Sequence, residues 1–208
     1  MKICVIITSY IEGDLSSLIP SLEDCFIICA DGGYNYSKEA GIVPDLLLGD
    51  FDSVSTSLPP DIKTLTFPSK KNFTDTGLCV STAIQQGFDQ ILIIGGMGGR
   101  MDHTIANLQT MTEAAKSVKS IAIVDQCNYA TILKNDTLIL QKKQYQYVSL
   151  FSLSDQCTGV NITGVDYPLH DHTLTNDFPL GVSNVISKDS CKISVESGTL
   201  LVTCSCDR

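Results

Sequence analysis

Along residues 1 to about 125, short apolar runs alternate with stretches whose apolar positions repeat every three or four residues. The runs ICVIIT, CFIICA, DLLLG, TLTF, QILIIGG and SIAIV are continuously apolar or β-branched. Strands buried on both faces have this character, so the runs predict a parallel sheet. Two intervening stretches carry a helical period. In DHTIANLQTMTEAAKSV, Ile105, Leu108, Met111, Ala115 and Val118 predict one apolar face. In TGLCVSTAIQQG, Cys79 pairs with Ala83 and Val80 with Ile84 one turn on, and Gly87 marks the stop. Strand and helix in alternation predict an α/β unit, a mostly parallel sheet flanked by helices.

From about residue 127 the helical period is gone. YVSLFSLSD, TGVNITGV and CKISVESGTLLVTC alternate with period two, the mark of half-buried antiparallel strands. The last of these predicts a hairpin. Ile193 and Val195 share a face on one arm, Gly198 sits in the turn, and Leu200, Val202 and Cys204 share a face on the other. The chain is therefore expected to divide into an α/β domain over 1–126 and an antiparallel β-rich domain over 127–208.

Charge changes the picture by exclusion. The formal net charge of −9 is a poor match for a nucleic-acid backbone, so no nucleic-acid partner is expected. Any phosphate ligand would need a divalent cation between it and the carboxylates. The opening MKICVIITSYIEGD is too short an apolar run for a signal peptide or a bilayer span, and reads as a first strand. We expect no membrane partner and a cytoplasmic location. The nine cysteines lack zinc-like spacing and read mostly as small buried hydrophobes in a reducing compartment.

Candidate chemistry then follows from the strand ends, because open parallel sheets bind ligands beyond the carboxyl ends of their strands. CFIICA is followed by Asp31, Gly32 and Gly33; DLLL by Gly49, Asp50, Phe51 and Asp52; TLTF by Lys70, Lys71 and Asp75; QILIIGG by Arg100 and Asp102. If GDFDS is extended, Asp50 and Asp52 point to one side and Phe51 to the core. Such a pair is either a solvated turn or a ligand pair for Mg²⁺. Gly95, Gly96, Gly98 and Gly99 lead into a helix starting near Asp102, which makes an anion cradle to which Arg100 would add a forked donor. No Gly-Lys-Ser/Thr follows, so this is not a Walker A loop. Asp75 reads either as a helix-capping charge or as part of the site. His170 and His172 read as a solvated loop, and Tyr34 and Tyr36 as packing groups.

These segments also carry a resemblance. ADGGYNYSKEAGIVPDLLLGDFDSV, KNFTDTGLCVSTAI, GGMGGRMDHTIANL and GVSNVISKDSCKISVESGTLLV stand in the order found in thiamine pyrophosphokinases, and the likeness covers nearly the whole chain. It implies a first, α/β domain that binds ATP and Mg²⁺, a second, antiparallel β-sandwich-like domain that helps bind thiamine, and a homodimer that completes each active site. It implies catalytic roles for Asp50, Asp52, Asp75, Arg100 and Asp102, with Asp50, Asp52 and Asp75 as metal ligands. Asp31, Asn72, Gly98, Gly99, Asn107, Ser183 and Asn184 are the implied substrate-binding residues. Three departures stand out: Asn72 where members usually carry Asp, Val185 where many bacterial members have Glu, and no Trp anywhere to stack on thiamine. The implied reaction moves the pyrophosphoryl group of ATP to thiamine's hydroxyl and releases AMP, with Asp75 or Asp102 accepting the proton. Two rivals share some features, a nucleotide-sugar transferase using Asp-x-Asp with Mg²⁺ and a non-catalytic thiamine or nucleotide sensor.

Overall fold

Each apolar run of the first unit forms a strand. The structure, a computed structural model, describes residues 3–19, 24–52, 54, 57–67, 73–142 and 145–207. Within it the chain separates into two compact units, Met1–Gln126 and Cys127–Arg208.

The first unit runs β1 (Ile3–Ile7), α1 (Leu15–Leu18), β2 (Cys25–Ala30), α2 (Gly33–Glu39), β3 (Leu46–Gly49), β4 (Lys63–Thr66), α3 (Asp75–Gln85), β5 (Gln90–Ile94), α4 (Met101–Ala114) and β6 (Ser120–Val124). Its strands are all parallel and lie in the order β4-β3-β2-β1-β5-β6. Leu46, Leu47 and Leu48 of β3 are each 0% exposed, which requires cover on both faces of the sheet. Burying each contributes roughly 1.5–3 kcal/mol. β4, the short edge strand, is nowhere fully buried and begins with Lys63, as suits an edge.

Helix α3 buries Cys79, Val80 and Ala83, and the chain turns at Gly87 with a left-handed φ of 85°. Helix α4 buries a stripe that keeps Met111 of the predicted face but is turned toward Asn107. Asn107, Met111 and Ala114 are buried, while Ile105 is 51% exposed and Ala115 caps the end. The stripe is rotated because Asn107, a polar residue, is drawn inward by a hydrogen bond described below.

The second unit contains β7 (Asn128–Lys134), β8 (Thr137–Gln141), β9 (Tyr147–Ser152), β10 (Gln156–Thr163), β11 (Leu169–Thr175), β12 (Gly181–Val185), β13 (Ser190–Ser194) and β14 (Thr199–Ser205). One sheet has the order β12-β9-β14-β7 and the other β11-β10-β13-β8, all antiparallel. Leu150, Leu200 and Val202 from the first and Val160, Ile162 and Ile193 from the second meet in one core. This is a sandwich.

Two expectations are corrected here. The CKISVESGTLLVTC segment is not a hairpin: β13 pairs with β8 and β10, whereas β14 pairs with β7 and β9 in the other sheet. Alternation with a central glycine is the same for a turn back and for a step across a sandwich, because both arms present one face to the same core. His170 and His172 are exposed as expected, but in strand β11 rather than a loop.

Candidate active site

The strand order sets the location. From β1 the chain winds one way through β2, β3 and β4, then returns to β1's other side for β5 and β6. The carboxyl ends of β2, β1 and β5 thus flank a switch point, where neighbouring connections diverge and leave a crevice.

On one side of the crevice stand the acids. Ala30 and Leu48 are in register, so Asp31 leaves its strand level with Gly49, and Asp50 follows one residue further along the adjacent strand. Gly49 makes their approach possible. A Cβ at Gly49 would lie 2.9 Å from both the Cα and the Cβ of Asp31, closer than real side-chain contacts allow. The backbone N–H of Asp31 donates to the Leu48 carbonyl at 2.8 Å, which fixes the pairing just past the strand. Asp31 is 8% exposed and holds a left-handed φ of 46°. The result is that carboxylate oxygens of Asp31, Asp50 and Asp52 all lie within 4.8 Å of one another.

The expected extended GDFDS is not what brings Asp50 and Asp52 together. β3 ends at Gly49, and Phe51 adopts a left-handed φ of 62°. The kink lets Phe51 pack against the core cluster of β1, β2 and β3 while its two neighbours stay on the rim. Repulsion from Asp50 is the main cause pushing the Asp52 carboxyl above its ordinary value, with lesser contributions from desolvation, Asp31 and Asp75. Three hard oxygen donors with mutual repulsion are the donor chemistry that suits Mg²⁺ or Ca²⁺, and they match no soft metal.

Asp75 lies outside that close trio, although its charge reaches Asp52. It is the first residue of α3 rather than its cap. Thr74 is the cap, its hydroxyl oxygen accepting from the Gly77 N–H at 3.0 Å.

On the other side of the crevice is the glycine loop. A cleft of ≈ 370 Å³ is lined by Thr8, Tyr10, Gly98, Gly99, Arg100 and His103, among others. The loop is held from beneath at Gly96. Asn107 Nδ2 donates to the Gly96 carbonyl at 2.7 Å, and a Cβ at Gly96 would sit 2.6 Å from that same nitrogen. With a φ of 74° as well, only glycine fits. Thr8, 2% exposed, has its hydroxyl 2.9 Å from the Ile94 carbonyl and 3.1 Å from that of Tyr10, tying the ends of β1 and β5 together. The side-chain nitrogen of Asn107, expected to meet a substrate, is therefore engaged in holding the loop.

Arg100 does not point a bare fork into the cleft. Its Nε donates to Asp102 Oδ1 at 3.1 Å and its Nη2 to Asp102 Oδ2, a two-pronged pair in which both side chains are largely exposed. The Arg100 guanidinium accordingly holds the Asp102 carboxyl below the usual range. Asp102 also sits in the first turn of α4, where its charge favours the helix.

In the second unit, Ser183 and Asn184 lie on β12. Asn184 is 9% exposed, and its amide serves the backbone: Nδ2 donates to the Tyr167 carbonyl at 2.6 Å, and Oδ1 accepts from the N–H groups of Tyr167 and Val185, each at 3.0 Å. Ser183 has a left-handed φ of 58°, and its N–H donates to the Ser149 hydroxyl at 2.9 Å. Beside them a cleft of ≈ 240 Å³ is lined by Tyr167, Leu169, Leu180, Gly181, Val182 and Asn184.

Asn72, Lys70 and Lys71 lie outside the described residues. Thr8 and Tyr10 were not legible as site residues. They follow the first strand ahead of its first charge, Glu12, and are themselves uncharged, so nothing in their own type marks them. Among the described residues no helix is long and apolar enough to cross a membrane.

Known proteins resemble this chain in sequence and in fold. The family model described as "Thiamin pyrophosphokinase, catalytic domain" matches residues 21–123. A second, "Thiamin pyrophosphokinase, vitamin B1 binding domain", matches residues 136–200. A thiamine pyrophosphokinase of Bacillus subtilis is 27% identical over 208 residues, covering 95% of this chain and 97% of that protein. A crystal structure of the enzyme from Bacillus subtilis superposes with a TM-score of 0.86 at 26% identity, covering 100% of both chains. One from Geobacillus thermodenitrificans gives 0.82 at 28% identity, covering 100% of this chain and 98% of that one. Nothing in these matches favours a nucleotide-sugar transferase. With both family models matched in sequence and most of its length accounted for, the chain belongs to the thiamine pyrophosphokinase family.

Proposed function

We propose that this protein transfers the pyrophosphoryl group of ATP to the primary hydroxyl of thiamine, giving thiamine pyrophosphate and AMP. The observation that carries the reading is the trio Asp31, Asp50 and Asp52 beyond the carboxyl ends of β2 and β3, within a chain of this family. The trio offers an all-oxygen site for Mg²⁺, which when bound would neutralise charge on the ATP phosphates.

The chain's own residues supply the rest. The Gly95 and Gly96 N–H groups are spent on the Val124 and Tyr10 carbonyls, so it is the Gly98–Gly99 end of the loop, lining the cleft beside the start of α4, that would receive anionic phosphates. Arg100 would exchange its exposed pairing with Asp102 for a phosphate oxygen, a change that costs little because both partners are solvated. Attack on the β-phosphorus needs chiefly alignment and charge stabilisation, and AMP then leaves. The proton of the thiamine hydroxyl would pass to Asp75 or Asp102. Ser183 and the cleft beside Asn184 would contribute to thiamine binding. The protein would act in the cytoplasm.

A homodimer also belongs to this reading. Tyr167, Phe178, Leu180 and Val182 are 75%, 64%, 44% and 45% exposed, a large apolar display on one stretch of the second unit. Sedimentation of the native protein should give a dimer, and Leu180→Glu should shift it toward monomer. An active wild-type monomer would remove the dimer from the proposal.

The deciding experiment mixes the protein with thiamine, ATP and Mg²⁺. Equal amounts of thiamine pyrophosphate and AMP are expected. Thiamine monophosphate with ADP would overturn the proposed chemistry.

A further inference from the structure

Three of the nine cysteines are half-buried rather than buried: Cys25, Cys127 and Cys206. The first lies opposite Ile3 of β1. The other two lie opposite each other. β14 pairs with β7 as far as Ser205↔Asn128, and the next step along both strands reaches Cys206 and Cys127. The ladder continues there, since the Cys206 N–H donates to the Cys127 carbonyl at 3.0 Å. Opposed residues of an antiparallel ladder project to the same side, with Cα atoms about 5.5 Å apart in a hydrogen-bonded pair. That is the commonest separation for bridged cysteines.

Cys206 is held from its other edge as well. The Gln146 N–H donates to the Ser205 carbonyl at 2.9 Å, and the Tyr147 hydroxyl donates to Asp207 Oδ2 at 3.0 Å. Both flanking residues are tied down, so the segment beyond β14 stays beside the start of β7. Cys4, Cys29, Cys79, Cys157, Cys191 and Cys204 are buried instead. Burial pushes the thiols of Cys4, Cys29 and Cys204 up to about 12, which suppresses the thiolate that exchange chemistry needs.

We propose that Cys127 and Cys206 form a reversible disulfide by exchange with low-molecular-weight disulfides such as oxidised glutathione. The thiolate of one cysteine attacks a sulfur of the small disulfide, forming a mixed disulfide and releasing one thiol. The thiolate of the second cysteine then attacks the protein sulfur of that mixed disulfide, forming the Cys127–Cys206 bond and releasing the second thiol. The two protein thiols are oxidised by two electrons, the small disulfide is reduced, and the two protein protons end on the released thiols. The bond closes a ring around nearly the whole second unit, so it restricts that unit's unfolded chain. Its partial exposure leaves it open to reduction by small thiols. None of the residues proposed for the transfer reaction takes part.

The full chain is incubated, folded, with oxidised glutathione, then mapped by mass spectrometry without reduction, and its thermal unfolding midpoint is measured. The expected result is a Cys127–Cys206 linked peptide pair, and a midpoint raised by at least ~4 °C that falls back when dithiothreitol is added. Cys127→Ser and Cys206→Ser should each stop at a single glutathione adduct on the remaining partner. Glutathione adducts alone in the wild-type chain, a bridge through any other cysteine, no reaction, or a bridge that leaves the midpoint unmoved would each overturn the proposal.

Discussion

Two pairs of neighbouring polar residues, one in each unit, have opposite fates. Asp50 and Asp52 are held on a rim, where they repel each other and Asp31. Asn184, next to Ser183, has turned its amide inward to serve the backbone of Tyr167 at both N–H and carbonyl. Both pairs belong to motifs that a family resemblance marks as functional. The first arrangement is electrostatically unfavourable alone and is relieved by a cation. The second is satisfied without any ligand. A motif residue can therefore be retained for what it binds or for the shape it holds, and hydrogen-bond bookkeeping separates the two.

The comparison breaks most visibly in activity. Asp50→Asn and Asp52→Asn keep side-chain size and remove charge, and each should lower Mg²⁺-dependent turnover by roughly 100-fold or more with circular dichroism unchanged. Near-normal turnover in either would make the trio a solvated turn. The converse is Asn184→Ala, which strands the Tyr167 N–H and carbonyl beside a sheet. It should cost about 1–3 kcal/mol in denaturant unfolding. A variant with unchanged stability but a large rise in KM for thiamine would move Asn184 to the ligand-binding side of the comparison.

The smallest effect carries the most specific sign. The folded-state pKa of Asp52 is raised, so its ionised form is disfavoured in the native state. The resulting destabilisation is present above the folded pKa and is relieved as pH falls through it. Without divalent cations, Asp52→Asn should therefore unfold at a slightly higher temperature than the wild type near neutral pH. The difference should vanish well below the carboxylate range. Since the same substitution should sharply lower turnover, a gain in stability alongside a loss of activity is the expected signature. A lower melting temperature at neutral pH would refute the repulsion.

Most of the sheet was legible because continuous apolar runs have few alternatives. Leu46–Leu48 is a strand buried on both faces, as its composition requires. The stripe on α4 was misplaced because apolar spacing cannot register that Asn107 would be drawn in by the Gly96 carbonyl, a contact eleven residues distant. The hairpin at Gly198 failed for a related reason: strand partners are chosen by long-range pairing, which a local period does not encode. In the site, the carboxylates were legible by type and position. The trio itself was not, because it depends on Gly49 admitting Asp31 and on the left-handed turn at Phe51.

The step that β13 and β14 make across the sandwich bears on how the second unit folds. β14 is the last of the unit's strands, yet it lies between β7 and β9 and separates them. Neither of those two can complete its ladder with a sequence neighbour, so this sheet cannot zip up from local turns. Its formation requires closing loops as long as the unit itself, which places it among slow, high-contact-order folders. Until β14 docks, β7 and β9 expose strand edges that invite pairing with other chains. Truncation before Thr199 should accordingly give aggregates rather than a smaller folded unit, and refolding of the intact chain should lose yield as protein concentration rises.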